Sequence, residues 1–579
     1  MDKIKLNIFL IISITLIFIL LSCTGKENKN NENNEEIQET NTVETITDKN
    51  TEETKKESEI TSVNHTDEKV DETIGKIPAG KVHYSPDNYY MWDSWCVVKD
   101  GTAHLIHLQM SKNDMKYTEE QEKRRGFGHA VSNDLLHWIG QDEILSVKAG
   151  SDEIGVRYTG STIEHEGKYY TFYTIREPRG ESIGVAVSED MYSWMEYSGN
   201  PILTPDPNRF IGYDDENTVS QRYVDCRDML VVKDPNGEGF WGYFVTAADI
   251  GLTSPPLVIG VAYSKDLFEW KQMGIAYSPL GLAMHEMVDI FEINGKWYMT
   301  LTTTKNNGGL NVFSDPYITR AQIYATADSP EGPFIENPDD NVLIGGQLLS
   351  GYSSRTVDFQ GKKRILYADT GEGVIALPKN IGINADGNLR AYYSDDLLKS
   401  LRINDLNKAI SVQPHTSFAW NTKGGVWKHD EEKNIYSCET DQKSWQAFLM
   451  KGSAVNLELE FTVTSESVYS SFGIVLSNRG AGEKLSDMDR VMFMDRNLNC
   501  VYLTDSGWDM KNCRQYIFED GEQYHFRMIL MGRTVELYIN DELIFNSAIQ
   551  NGNINRAGLF VNDGIISVEN LEFYELGRY

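Results

Sequence analysis

Between about residue 90 and residue 370 the chain repeats a short pattern, and this repetition restricts its possible folds more than any other feature. One piece is an aromatic and β-branched run behind a charged turn. It reads Asp100-Gly101-Thr102-Ala103-His104-Leu105-Ile106-His107-Leu108, then Glu166-Gly167-Lys168-Tyr169-Tyr170-Thr171-Phe172-Tyr173. It returns as Gly239-Phe240-Trp241-Gly242-Tyr243-Phe244, as Asn294-Gly295-Lys296-Trp297-Tyr298-Met299, and as Gly361-Lys362-Lys363-Arg364-Ile365-Leu366-Tyr367. Alternation and residue type both favour strands. A second piece follows the first: Gly128-His129-Ala130-Val131-Ser132-Asn133-Asp134-Leu135-Leu136-His137-Trp138. Its echoes are Gly184 to Asp190 with Trp194, Gly260 to Asp266 with Trp270, and a weaker copy from Ile323 to Asp328. The Ser-x-Asp part suits a turn, and the tryptophan after it suits a packing anchor.

Units of roughly 55 to 75 residues, each with several strands, fit the blades of a β-propeller. A long β-sandwich is the rival, but about five similar units favour a closed ring. The expected class is therefore all-β, with a five-bladed β-propeller over residues 81–375. In a propeller the first strand of each blade lines the central channel. The positions ahead of the aromatic runs hold Asp93, then Tyr158-Thr159-Gly160-Ser161, Arg227-Asp228, Glu286 and Ser354-Arg355. Residues far apart in sequence would converge on one funnel. Two aspartates and a glutamate are costly to bury unpaired, so chemistry explains their convergence better than stability does. Arg227 is a candidate partner that keeps one of them ionised.

The stretch Met91-Trp92-Asp93-Ser94-Trp95 sets a carboxylate between two indoles. Aromatic faces bind the apolar faces of sugar rings, and a carboxylate there could attack or orient a sugar. The plainer alternative is a strand start with core tryptophans and a capping aspartate. Asp289 reads as a structural partner or turn residue, and His129 and His285 as hydrogen-bonded core or rim histidines.

The remaining segments frame this unit. Residues 1–23 read as an export signal: Lys3 and Lys5, an apolar run from Ile8 to Leu21, then Leu20-Leu21-Ser22-Cys23. That ending resembles the lipobox of bacterial lipoproteins, which implies acylation of Cys23 and a membrane-anchored, extracytoplasmic protein. Residues 24–80 are rich in Asn, Glu, Lys and Thr and read as a disordered acidic tether. The net charge of −32 argues against a nucleic-acid partner, which needs clustered Lys and Arg. Of six cysteines, five lie beyond Cys23; Cys500 and Cys513 could close a local loop, a pairing that sequence leaves open. No CxxC or HExxH spacing supports a zinc site. Residues 376–410, with Pro378, Asn380, Gly382, Asn384, Asp386 and Gly387, read as a linker. Residues 411–579 alternate as strands, with a hairpin turn at Asn540-Asp541-Glu542, and read as a jelly-roll-like β-sandwich.

Taken together, residues from about 80 to 375 resemble the five-bladed propeller glycosidases: glycoside hydrolase family 32, its relatives in family 68 and, more distantly, family 43. Gly128 to Trp138 is similar to the family 32 signature Gly-His-Ala-x-Ser-x-Asp-Leu-x-His-Trp. Gly160-Ser161 resembles its Ser-Gly-Ser segment, with Thr159 for the first serine. Arg227-Asp228 resembles Arg-Asp-Pro, with Met229 for proline. Glu286 to Phe291 resembles Glu-Cys-Pro-Asp-hydrophobic-Phe in its charged and outer positions. Trp92-Asp93-Ser94-Trp95 is closer to the Trp-Asp-Ser-Trp of family 68.

The resemblance implies that Asp93 is the nucleophile, Glu286 the general acid/base and Asp228 the transition-state stabiliser. It places Trp92, Gln109, Ser161 and Arg227 in the pocket for the terminal sugar, with no metal or organic cofactor. The implied substrate is an oligo- or polysaccharide: sucrose, fructo-oligosaccharides or fructans, cut at β-fructofuranosyl bonds with retention. Retention needs the two carboxyl groups about 5 to 5.5 Å apart, against roughly 6.5 Å or more for inversion. Glu286, with Met284, Met287 and Val288 beside it, is the member expected to stay protonated, and Asp93 the one expected to be ionised. Other readings are a fructosyltransferase, a family 43-like pentosidase, or a non-catalytic surface glycan-binding lipoprotein. Linkage, exo or endo action and oligomeric state are not legible.

Overall fold

The computed structural model describes residues 81–579 apart from 113–125, 147–155, 214–222, 251–255, 279–281, 306–312, 347–350, 352, 370–372, 408–426, 451–453, 478–489, 505–508, 550–553, 555 and 578–579. The expected signal segment, Cys23 and the acidic tether lie outside the described residues.

Four antiparallel sheets of four strands follow one another along the chain in a propeller arrangement. Blade one is β1 (Tyr89–Lys99), β2 (Thr102–Ser111), β3 (Phe127–Ser132) and β4 (Ile139–Ile144). Blade two is β5 (Val156–His165), β6 (Lys168–Glu177), β7 (Gly180–Ser188) and β8 (Met195–Glu196). Blade three is β9 (Cys226–Lys233), β10 (Phe240–Ala247), β11 (Leu257–Ser264) and β12 (Trp270–Tyr277). Blade four is β13 (Leu282–Ile293), β14 (Lys296–Lys305), β15 (Arg320–Ala327) and β16 (Val342–Gly346). The aromatic runs are the second strands of these blades, and the Gly-to-Ser runs are the third. Both faces of a second strand are covered, which is why β10 reads Phe-Trp-Gly-Tyr-Phe-Val-Thr-Ala almost without polar residues and is buried nearly throughout. The fourth strand of blade one, β4, is mostly exposed and correspondingly polar.

The apolar clusters lie between successive blades. Trp95, Ile106 and Phe127 of blade one meet Tyr169 and Tyr173 of blade two. Phe172 and Val185 meet Met229 and Phe244. Tyr243 and Val261 meet Ile290, Met299 and Leu301. The Ser-x-Asp segments form the same turn three times. Asp134, Asp190 and Asp266 each accept bonds from backbone N–H groups two and three residues ahead. Trp138, Trp194 and Trp270 each donate their indole N–H, at 3.1 Å, to the carbonyl three residues behind.

After blade four come β17 (Arg355–Phe359), β18 (Lys362–Leu366), β19 (Ala368–Asp369), β20 (Val374–Ile375), β21 (Lys379–Ile383) and β22 (Leu389–Tyr392). β17, β18, β21 and β22 are neighbours in that order. Val357, Phe359 and Ile365 pack with Leu105 and Trp138 of blade one and with Phe291 and Tyr298 of blade four. The stretch read as a linker thus contributes three sheet strands: β21, β22 and Arg402–Asp405, which pairs with the strand Arg556–Leu576. The first two are joined by a tight turn, the Asn384–Gly387 segment, closed by Asn384 N–H donating to the Asn388 carbonyl at 2.9 Å. Turn residues between two very short strands look like a structureless connector when read by composition.

The sheet continues from β22 into the C-terminal strands, with Tyr392 opposite Glu542. Leu457–Val463 runs between Tyr524–Met531 and the long strand Arg556–Leu576. One side of Leu457–Val463 puts Leu457, Leu459, Phe461 and Val463 into a large apolar cluster with Phe472, Phe526 and Phe573. The acidic residues between them are also buried. Glu458 and Glu460 are bound by Arg402, and Glu460 also by Arg527. Asn540 and Asp541 both have positive φ, 51° and 66°, as a two-residue hairpin turn requires. The five cysteines beyond Cys23 are free thiols. Cys500 and Cys513 sit diagonally on adjacent strands, opposite Gln515 and Tyr502.

Candidate active site

Each of the four blades interrupts the pairing of its innermost strand by one extra residue, at the same depth. In β1 the step from Met91 to Ser94 spans only Gln109 to His107 on the partner strand. In β5 the extra residue is Thr159, between Tyr158 and Gly160. In β9 the step from Arg227 to Leu230 spans Val245 to Tyr243. In β13 the step from Glu286 to Asp289 spans Thr302 to Thr300. A bulge bends a strand and re-aims the side chains beside it. Here the bulges hold Asp93, Thr159 and Asp228, and Glu286 borders the fourth. Asp228 and Met287 take positive φ, 58° and 54°, a conformation non-glycine residues adopt only when their surroundings impose it.

The result is a convergent acidic site. Asp93 accepts the Thr159 hydroxyl at 2.5 Å and the Ser353 hydroxyl at 2.6 Å, so both oxygens are held from neighbouring parts of the ring. Asp228, 3 % exposed, accepts the Met287 N–H from blade four at 3.0 Å. Its own N–H donates to the Thr174 hydroxyl at 3.0 Å. Burial, together with the charges of Asp93 and Glu286, pushes the Asp228 carboxyl up to about 7, and Arg227 opposes this. Glu286 is half-buried and acts electrostatically on both Asp228 and Arg227.

Arg227 donates to Asp225 at 2.7 Å and to Glu181 at 3.4 Å. Burial works against its charge, but Glu181, Asp225, Glu286 and Asp228 outweigh it and raise its pKa. Arg355, the fifth position expected on the channel, is a strut. It donates to the carbonyls of Gly160 at 2.9 Å and Asp228 at 3.2 Å, tying blades two and three to the strand after blade four. Asp289 is structural too, accepting the Thr356 N–H at 2.7 Å.

The other residues singled out in the sequence are distributed as follows. Trp92 is half-buried and packs on the cluster between blades one and two. Trp95 belongs to the core: it is 3 % exposed, stacked edge-on with Phe127, and donates to Thr162 at 2.9 Å. Of the two indoles beside Asp93, Trp95 is thus buried and Trp92 is partly exposed. Gln109 is buried opposite Met91, beside the bulge of β1. The Ser161 hydroxyl donates to the Met229 carbonyl at 2.8 Å, bridging blades two and three. His129 and His285 are buried, and burial pushes both down to about 3, so they are neutral.

Sequence reasoning missed the groups that hold the site residues: Ser353 on the Asp93 carboxylate, Thr174 on the Asp228 N–H, and Glu181 and Asp225 on Arg227. Ser353 stands beside a position that the repeat did mark. Glu181 opens a third strand, where the repeat carries no charged signature, and nothing in the sequence sets it apart from other surface glutamates.

Comparison with known proteins places this geometry. Residues 83–372 match the model of the glycosyl hydrolases family 32 N-terminal domain. An acid β-fructofuranosidase of Vigna radiata var. radiata is 25% identical over 458 residues, covering 71% of this chain and 66% of the relative. A fructan 1-exohydrolase of Hordeum vulgare is 26% identical over 324 residues, covering 48% of this chain and 49% of the relative. Among solved structures, exo-inulinase from Aspergillus awamori superposes with a TM-score of 0.61 at 15% identity, covering 86% of this chain and 98% of that one. A family 32 β-fructofuranosidase from Bombyx mori gives 0.59 at 17% identity, covering 86% and 93%. The chain spans just under two thirds of the length of the Vigna relative. With the family model spanning the whole ring of acidic bulges, the chain belongs to glycosyl hydrolase family 32.

Proposed function

We propose that this protein is a retaining glycoside hydrolase that cleaves β-fructofuranosyl bonds in sucrose, fructo-oligosaccharides or fructans. The observation that carries this reading is the meeting of Asp93, Asp228 and Glu286, from three blades, in one half-enclosed site. Asp93 attacks the anomeric carbon while Glu286 protonates the departing oxygen; Glu286 then activates water to release the fructosyl group. Hydroxyls from Thr159 and Ser353 orient the Asp93 oxygens. Asp228 binds sugar hydroxyls as positive charge develops on the ring. Trp92, Gln109 and Arg227 line the place of the terminal sugar, and Ser161 supports it through its bond to Met229.

In this reading β17, β18, β21 and β22 are the fifth blade, and the C-terminal strands are a sandwich packed against it. Packing of β17 and β18 between blades one and four supports the former. The segment through Cys23 would carry the enzyme out of the cytoplasm on a lipid anchor, with residues 24–80 as its tether. Family membership and the names of the relatives favour hydrolysis over fructosyl transfer, pentose release or binding without turnover.

The test is sugar release from sucrose, inulin, levan and an arabinan, with Asp93→Asn and Glu286→Gln alongside. Free fructose is expected, first released as the β-anomer by NMR, and falling about 10³-fold or more in each variant. Release of a pentose, or tight binding without release, would overturn the reading.

A further inference from the structure

At the solvent end of β6, burial falls quickly. Thr174, under Asp228, is fully buried, Ile175 is half-buried and Arg176 is exposed. Thr174 and Arg176 lie on the same face of the strand, so Arg176 stands directly outward from the residue that supports Asp228. Its guanidinium lies over two aromatic rings, 5.5 Å from the centre of Tyr158 and 5.8 Å from that of Tyr223. It also donates to the Tyr158 hydroxyl at 3.3 Å. An exposed arginine on one ring is common; one set between two rings, one on β5 and one just ahead of β9, is held in a fixed orientation.

Both rings lead back to the acidic site. Tyr158 immediately precedes Thr159, whose hydroxyl binds Asp93. The Tyr223 hydroxyl donates to Glu181 at 3.3 Å, and Glu181 in turn accepts from Arg227 and from the Cys226 N–H. A sugar held at Asp93 and Asp228 lies below this group, and whatever is attached to it must leave past it.

We propose that Arg176, clamped by Tyr158 and Tyr223, binds the leaving-group sugar of the substrate, through guanidinium hydrogen bonds to its hydroxyls and stacking of its ring on the tyrosines. This rests on the glycosidase reading of the same site. The assembly discriminates between substrates by what lies beyond the cleaved unit: a saccharide engages it, and a methyl group does not reach it. Its contribution is to binding, so it acts on KM more than on kcat.

The experiment compares wild type, Arg176→Ala, Arg176→Lys and Tyr223→Leu on methyl β-fructofuranoside, sucrose and a fructose-containing trisaccharide. In Arg176→Ala the ratio of KM for the trisaccharide to KM for the methyl fructoside is expected to rise about tenfold, the loss of one good polar contact. Arg176→Lys keeps the charge without the planar fork and should fall between. Tyr223→Leu should move the ratio in the same direction. An unchanged ratio, or an equal rise in KM for all three substrates, would overturn the assignment. Trisaccharide binding to Asp93→Asn, with and without Arg176→Ala, is measured by calorimetry as well. If wild type cleaves none of the substrates, the glycosidase reading fails, while this binding arm still decides the role of Arg176: a weaker affinity with Arg176→Ala upholds it and an equal affinity overturns it.

Discussion

Asp228 is held where a carboxylate is costly. It is 3 % exposed, faces Asp93 and Glu286, and receives only partial relief from Arg227 and the Met287 N–H. Its folded-state pKa, pushed up to about 7 from 3.8, lies above the unfolded one. The folded protein therefore holds a proton that the unfolded chain gives up, and stability declines as pH rises through this interval. An amide in its place removes that cost and can still accept from Met287. Asp228→Asn is expected to raise the unfolding free energy at pH 8 by about 2 kcal/mol, with little change at pH 4, while fructose release collapses. Chemical denaturation at the two pH values checks this; an equal effect at both would contradict it. Glu181 and Ser353 make the same point in milder form, being polar side chains buried to position other polar side chains.

At the scale of the strand, the bulge is the unit that matters. The hydrophobic pattern set which residues form the innermost strands, but a regular strand would point alternate residues away from the channel. One added residue at this depth in each strand breaks the alternation at Asp93, Thr159, Asp228 and beside Glu286; β13 carries a second between Leu282 and His285. Gly160 shows how tightly this is built. A Cβ there would stand 1.7 Å from the Phe172 carbonyl oxygen, which no rotamer can relieve. Gly160→Ala is expected to destabilise the protein by about 1–3 kcal/mol and to cut kcat about tenfold, because β5 must shift and carry Thr159 with it. Thermal unfolding alongside sucrose kinetics tests both parts. Sequence inspection located these strands through their aromatic neighbours, yet the bulges carry no residue signature, since they arise from a mismatch between two paired strands.

For the whole molecule, the ring and the C-terminal strands are joined by buried charge. Lys379 of β21 pairs with Glu536 of the strand Thr534–Ile539, and neither side chain is more than 2 % exposed. The Lys379 ammonium also donates to the Leu377 carbonyl at 2.7 Å and lies 4.9 Å from the centre of the Tyr367 ring. Glu536 also accepts from Tyr538 at 2.6 Å and from Asn546 at 3.1 Å. Removing one partner leaves a buried charge uncompensated, so Lys379→Met should cost about 3–5 kcal/mol. Adding Glu536→Gln, which keeps the acceptor and removes the charge, should recover part of this. A denaturant series on the two variants separates these outcomes, and an equal loss in both would show that packing rather than charge dominates. Further out, Arg514 binds Asp315 at 2.9 Å and Arg390 binds Glu542 at 3.3 Å. Arg402 of the stretch after β22 in turn binds Glu458 and Glu460 of the C-terminal strand Leu457–Val463.

The sequence by itself determined the local periods and the residues that recur with them. From these came the all-β class, the second and third strands of each blade, the Ser-x-Asp turns with their tryptophans, and the three carboxylates at equivalent places. These are properties of short segments, where side-chain alternation and turn chemistry act within a few residues. Only the tertiary structure decided what each marked residue does. It divided Trp92 from Trp95, made Arg355 a strut, put three sheet strands into the stretch after residue 376, and recruited Thr174, Glu181 and Ser353. Those roles depend on contacts across tens to hundreds of residues, such as the 260 between Asp93 and Ser353, and no local pattern encodes which distant group will arrive.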